Sequence, residues 1–238
     1  FIAYYPHPKS CIYKLNSSMK NYTVVPNRIS SLFSPNDLYT LIGLYFTTNS
    51  NYSTDSTYLQ IADITKQSFS YIKDNFMPRL EKSGFCDRIE LFIQEGLKRK
   101  RYFLPHPQTN FRIIQKEVLE NTDLTSEEKG FIIALYCNTV NNSFNLTMSW
   151  KFWEEKIKVK KSTFYKIRKS LINKGYLKKL EDVPENPESE DYPRDYMLCV
   201  SWLGHINYEN WLEMAAISED VPKSMYVYKD KQQYYYCL

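Results

Sequence analysis

The stretch Val159-Lys160-Lys161-Ser162-Thr163-Phe164-Tyr165-Lys166-Ile167-Arg168-Lys169-Ser170-Leu171-Ile172-Asn173-Lys174-Gly175-Tyr176-Leu177 decides how this chain folds. Phe164, Ile167 and Leu171 recur at intervals of three and four residues, which puts them on one face of an α-helix. Gly175 stands where a helix closes through a left-handed residue, and Tyr176-Leu177 opens a β-like run. The charge around them has one sign. Between Lys156 and Lys179 there are ten basic residues and no acid. A Lys-rich helix face is often nothing more than solvated surface. Here no carboxylate neighbours the cations, and the same arrangement occurs a second time.

The earlier copy runs from Ile64-Thr65-Lys66-Gln67-Ser68-Phe69 to Leu80-Glu81-Lys82-Ser83-Gly84-Phe85. Ile42-Gly43-Leu44-Tyr45 matches Ile133-Ala134-Leu135-Tyr136, Phe69 matches Phe164, and Leu80 to Phe85 matches Leu171 to Tyr176. In this register the basic helix of the first copy is longer by about one turn.

Working outward, Ser34-Pro35 reads as the cap and first residue of a helix carrying Leu38, Leu41, Ile42 and Tyr45. A short helix is expected over 57–63, and then a third, capped by Thr65 and running to Lys82. Phe69, Ile72, Phe76 and Leu80 form its inner face, and Pro78 should kink it or open it locally. Residues 85–94 and 97–103 flank Glu95-Gly96 as a hairpin. A linking helix is expected over 111–119. Thr125 and Glu128 match a capping box ahead of Phe131, Ile132, Leu135 and Tyr136. Residues 144–148 alternate like a strand, 150–157 suit a short helix, and the basic helix covers 162–173. Strands are expected over 176–180 and 196–202, on either side of a proline-bearing loop at 181–194.

With 238 residues the chain has room for two domains of about 100 each. Its formal net charge is only +4, so an anionic partner must be met by local clusters of charge. The five cysteines have no C-x-x-C spacing and the three histidines are isolated, which argues for reduced thiols and against zinc. No apolar run is long enough for a membrane span and the start does not read as a signal peptide, so a cytoplasmic protein off the membrane is expected. G-x-G-x-x-G, G-x-S-x-G and H-E-x-x-H are all absent. No cofactor, no metal and no small-molecule substrate is therefore expected, and catalysis has little to stand on.

The order helix, helix, helix, strand, loop, strand, found twice, resembles the winged helix-turn-helix family over residues 34–104 and 123–203. Val159 to Lys166, leading to Leu171 and Gly175-Tyr176-Leu177, looks like the turn and recognition helix of bacterial winged-helix regulators and replication initiators. Two copies in one chain are similar in layout to plasmid and phage replication initiators. The resemblance implies a mainly α fold with small β-hairpins (α+β): two winged helix-turn-helix domains in tandem. An N-terminal arm with a strand would cover 1–33, the first domain 34–107, a linker helix 108–122, the second domain 123–204 and a tail 205–238.

The resemblance also implies that each third helix enters a major groove of double-stranded DNA. In the second copy Lys161, Ser162, Thr163, Tyr165, Lys166 and Lys169 would face the base edges, with Lys158, Lys160 and Arg168 on phosphates. The matching residues of the first copy are Lys66, Gln67, Ser68, Ser70, Tyr71 and Lys73, Gln67 being the natural adenine reader. Lys98, Arg99, Lys100 and Arg101 make a basic first wing. Two departures stand out. The second wing carries Glu181, Asp182, Glu185, Glu188, Glu190, Asp191 and Asp195, which phosphates would repel, and Lys160 stands where the family supplies a capping Ser or Thr.

The expected function is non-enzymatic binding of double-stranded DNA, by a replication initiator or a transcription regulator of a plasmid, phage or other mobile element. A protein-interaction scaffold that has kept the winged helices without DNA binding is the alternative, favoured by the acidic wing and the modest net charge. A homodimer stays open, since readers of this kind often use paired half-sites. Trp150, Phe152 and Trp153 read as packing residues, and the tail tyrosines, Tyr226, Tyr228, Tyr234, Tyr235 and Tyr236, as cover for the body or for a second subunit.

Overall fold

The computed structural model describes residues 20–107, 109–139, 144–179, 196–204, 227–230 and 233–236. Within them the protein is α+β, its helices carrying small antiparallel sheets. Strand β1 (Tyr22–Pro26) and the short α1 (Ile29–Leu32) lead into α2 (Pro35–Phe46). Ser34 caps α2 by accepting from the Asp37 amide, and Pro35 sits at the first helical position, where its missing N–H costs nothing. After β2 (Ser53–Thr54), Thr57 and Gln60 close a capping box for α3 (Tyr58–Thr65).

The third helix of this half covers 69–82 in three continuous pieces: α4 (Phe69–Tyr71), a π-helical turn (Ile72–Phe76) and α5 (Met77–Lys82). Ser68 caps it. Thr65, expected in that role, ends α3 instead, and Lys66 follows in the left-handed conformation with φ 55°. Pro78 does not break the helix. In a regular α-helix its ring would press on the carbonyl four residues back. The wider π-turn immediately before Pro78 removes that clash. Strands β3 (Arg88–Gln94) and β4 (Leu97–Phe103) then form a hairpin whose two turn residues, Glu95 and Gly96, have φ of 52° and 76°. A two-residue hairpin turn requires such positive values.

The second half repeats this succession: β5 (Phe111–Gln115), α6 (Glu117–Glu120), α7 (Ser126–Cys137), β6 (Asn145–Leu146), α8 (Trp150–Trp153), α9 (Lys161–Asn173), β7 (Leu177–Lys179) and β8 (Tyr196–Leu198). The sheets agree too. Their orders are β2-β4-β3 and β6-β8-β7, antiparallel throughout, with the last strand of each half in the middle. A hairpin of β9 (Val227–Asp230) and β10 (Gln233–Tyr236) follows. The acidic loop at 181–194 and Tyr226 lie outside the described residues.

Two expectations are corrected. The segment 111–119 is not a helix but β5 and the single turn α6. Phe111-Arg112-Ile113-Ile114-Gln115 pairs antiparallel with β1, from Tyr22 opposite Gln115 to Pro26 opposite Phe111, and a partner strand outweighs a local helical pattern. Segments expected as separate arm and linker thus make one sheet. The register of the repeat also moves. Phe164 is the fourth residue of α9 and fully buried, whereas Phe69 is the first of its helix and 47% exposed. Ile72 is the buried counterpart of Phe164, and Leu80 that of Leu171. The first helix has one residue more between these anchors, not a turn, and the π-turn absorbs it.

The halves share one core. Helices α2 and α7 pack along each other; every residue of α2 except Asn36 is buried, as is α7 over 128–137. Helices buried all round belong in an interior, and here each walls in the other. Gly130 permits the approach, because a Cβ there would fall on the Pro35 carbonyl. Lys129 sits in this seam, its Nζ 4.9 Å from the centre of the Tyr39 ring and 3.4 Å from the hydroxyl. Burial lowers its pKa to about 8.

Candidate nucleic-acid interface

Helix α9 is held by one face. Phe164 meets Phe131 of α7 and Trp150 of α8 edge-on, each with 5.4 Å between ring centres, and Ile167 and Leu171 are buried on the same side. Trp153 is buried and its indole N–H donates to the Thr147 carbonyl, so these tryptophans pack the interior. The opposite face turns Lys161, Ser162, Tyr165, Lys166 and Lys169 to solvent, Tyr165 being 41% exposed, with Thr163 half-buried at the margin. Among the described residues Lys160, Lys161, Lys166 and Lys169 form no ion pair. Lys160 occupies the cap position without a side-chain bond, so its side chain leaves the first amides of α9 uncapped. Helix dipole and uncovered N–H groups both favour an anion there.

Arg168 and Lys158 differ from expectation. The Arg168 guanidinium turns back on the protein: Nη1 donates to the Met148 carbonyl at 3.3 Å, and the group lies over the rings of Tyr165 and Tyr196. It braces Tyr165. Lys158 leans on the first half, with Nζ 3.4 Å from the Leu32 carbonyl. There it joins Arg79 and Lys82 along a cleft of about 570 Å³ lined, apart from Lys158, by the first half.

In the first half the expected readers are mostly engaged. Gln67 accepts from the Thr40 hydroxyl at 2.5 Å and donates to Asn36 Oδ1 at 3.0 Å, so it is no adenine reader in this conformation. The Tyr71 hydroxyl donates to Asp37 Oδ1 at 2.7 Å; burial and that bond raise its pKa. Ser68 caps the helix, and exposed Lys66 pairs with Asp63 at 3.3 Å. Ser70 and Lys73 do face solvent, with Phe69 beside them. The polar periodicity of this helix could not show the inward bonds, because their partners Asn36, Asp37 and Thr40 are some thirty residues away on α2.

The basic first wing is likewise divided. Lys100 pairs with Glu81 at 2.7 Å and Arg101 with Asp55 at 3.4 Å. Burial alone would raise the pKa of Glu81, but the bonds from Lys100 and Tyr102 outweigh it and the carboxyl titrates below its usual range. Lys98 and Arg99, nearer the turn, meet no carboxylate among the described residues.

No known protein family, characterised protein or solved structure matches this chain. Among the described residues, then, one third helix has an uncommitted cationic face, the other has its polar groups largely tied inward, and the β3–β4 hairpin carries two cations without a carboxylate partner near its end. Among the described residues no cluster of His, Cys, Asp and Glu is arranged to hold a metal, and no helix is long and apolar enough to cross a membrane.

Proposed function

We propose that the chain is a double-stranded DNA-binding protein of two winged helix-turn-helix units, a replication initiator or transcription regulator of a plasmid, phage or other mobile element. The observation that carries this reading is α9, with Phe164, Ile167 and Leu171 inward and Lys161, Lys166 and Lys169 outward around Ser162 and Tyr165. A major groove admits a single helix of this kind, Lys donates to guanine O6 and N7, and Ser serves either role. The twofold occurrence of one element order and one strand order supports a second unit on the same duplex. The two units then work unequally. Helix α9 reads bases, while the first-half helix, with Gln67 and Tyr71 engaged, contributes phosphate contacts through Lys73 and Ser70.

The test is titration of a duplex recovered by selection from a random pool. Changing Lys161, Lys166 and Lys169 together to Ala should weaken binding about a hundredfold and flatten the salt dependence by about two to three counterions. Unchanged affinity removes the reading. A protein-interaction scaffold is favoured by one set of observations, the inward bonds of Gln67 and Tyr71 and the neutralised Lys100 and Arg101. It calls for negligible duplex affinity at about 50 mM salt.

A further inference from the structure

The cleft that Lys158 enters is a second cationic site, apart from the exposed face of α9. Its volume of about 570 Å³ falls within the roughly 300–1,000 Å³ of small-molecule sites. Three cations line it, Arg79 and Lys82 from α5 and Lys158 from the turn before α9, against one carboxylate, Asp37. That carboxylate is already satisfied. It is buried, and its oxygens accept from Arg79 Nε and Nη2, the Tyr71 hydroxyl and the Ser34 hydroxyl. Among the described residues Lys82 forms no ion pair, and Lys158 meets only the Leu32 carbonyl, at 3.4 Å. Two ammonium groups thus share one opening without a counter-charge.

We infer that this cleft is a seat for the phosphate of a nucleotide. The donors decide the chemistry. The fork of Arg79, which would suit a flat carboxylate, is spent on Asp37. What remains is two point charges and the outer Nη1 of Arg79, which has only a 3.5 Å contact with Asn75 Oδ1. Ammonium groups on separate elements suit a phosphate, whose oxygens point in several directions. Leu32, also in the lining and 41% exposed, offers apolar surface to the sugar that carries it. Two sources supply such a group, the backbone of a bound duplex and a free nucleotide. Location favours the duplex, and that preference rests on the DNA-binding reading above. Lys158 is three residues ahead of Lys161, so at most about 11 Å of chain separates the seat from the first turn of α9. Lys82 is the last residue of α5. A phosphate held by both lysines ties the start of one third helix to the end of the other, which sets how the two units share a duplex.

The experiment has two arms, each run on the full chain and on Lys82→Gln/Lys158→Gln, with Arg79 kept in place to hold Asp37. Both lysines are exposed, so melting curves should show the variant folded. In one arm a selected duplex is rebuilt with one neutral methylphosphonate linkage at a time. In the other, ATP is titrated into the protein without DNA, by calorimetry. A backbone phosphate in the seat marks one linkage. Neutralising it should weaken wild-type binding about tenfold and that of the variant by less than about twofold, with base preference unchanged. A free nucleotide in the seat gives instead a wild-type dissociation constant for ATP below about 1 mM. ATP binding should then fall at least about tenfold in the variant, but not in Lys178→Gln/Lys179→Gln, which loses the same charge from the exposed face of β7. Either result supports the seat and names its source. Linkage scans that do not differ, together with ATP binding that is absent or equal in all three proteins, overturn it. Tight duplex binding with neither effect removes the seat and leaves the DNA-binding reading standing. ATP binding that needs Lys82 and Lys158, in a protein without duplex affinity, does the reverse.

Discussion

Asp37 and Glu128 occupy the same place, third residue of α2 and of α7, and each grips the far end of its own half's third helix. Asp37 accepts from Arg79 Nε at 3.0 Å and Nη2 at 2.6 Å; Glu128 accepts from the Ser170 hydroxyl at 2.6 Å and Lys174 Nζ at 2.9 Å. Arg79 and Ser170 are themselves equivalent, each preceding the buried leucine, Leu80 or Leu171, of its helix. Removing Arg79 leaves a buried carboxylate without its cation, so Arg79→Ala should cost about 2–3 kcal/mol in urea unfolding. The double variant Asp37→Ala/Arg79→Ala should cost clearly less than the sum of the single ones. Simple additivity would show that the contact does not couple the helices.

Glu128 also makes the second clasp sensitive to acid. Burial would raise its pKa, but Ser170, the Thr125 amide and Lys174 outweigh that and hold it below the usual 4.5. A depressed carboxylate contributes stability above its unfolded value and loses it as pH falls through the folded one. Glu128→Gln should therefore be less stable than wild type at neutral pH, and the gap should close below about pH 4.5 in melting curves. A gap independent of pH would leave the carboxylate no electrostatic role.

Lys129 acts in the alkaline direction. Its pKa is about 8 in the fold against an ordinary 10.5, so between these values the unfolded chain binds the extra proton and stability rises with pH. The penalty is in full force below pH 8. Lys129→Met should be more stable than wild type at pH 6, by on the order of 2 kcal/mol, with the difference gone near pH 10.5. Tyr39, raised by burial to about 12, is present in both proteins and cancels in the comparison. A constant difference between pH 6 and 10 would mean that the ammonium is solvated in the seam.

Gly130 and Gly43 separate steric from propensity effects. Alanine in a helix is normally favoured over glycine by about 0.5–1 kcal/mol. At Gly130 the new methyl would meet the Pro35 backbone carbonyl, which cannot step aside without parting α2 from α7. At Gly43 it meets only the Thr65 methyl. Thermal melts should show Gly130→Ala destabilised by about 2–3 kcal/mol and Gly43→Ala by less. Equal losses would remove the special status of this crossing.

Gln67 and Lys166 should part company in a combined assay. Gln67→Ala breaks two internal bonds and should lower stability by about 1 kcal/mol while leaving base preference in a selection experiment unchanged. Lys166→Ala should do the reverse, weakening duplex binding with little change in melting temperature. A shift in base preference on replacing Gln67 would mean that it swings outward on DNA.

Several features whose deciding partner lies within a turn or two are legible in the sequence. Ser34-Pro35, the Thr125–Glu128 box, the Glu95-Gly96 hairpin and the stripe of Phe164, Ile167 and Leu171 all stand where their residue types imply. What the sequence does not show has two sources. The Phe69 register shifts through a local π-turn ahead of Pro78, whereas strand β5 follows from pairing with the distant β1, and the inward bonds of Gln67 and Tyr71 from partners on α2.

By itself, then, the order of amino acids determined the capped helices α2 and α7, the β3–β4 hairpin and the apolar and cationic faces of α9, because spacing and capping act over a few residues. Only the tertiary structure decided that α2 and α7 join the halves in one core, and that α9 keeps its cations while the first-half helix spends its polar groups inward. Those outcomes turn on which distant side chain fills a hydrogen bond or a void, and no local pattern encodes that choice.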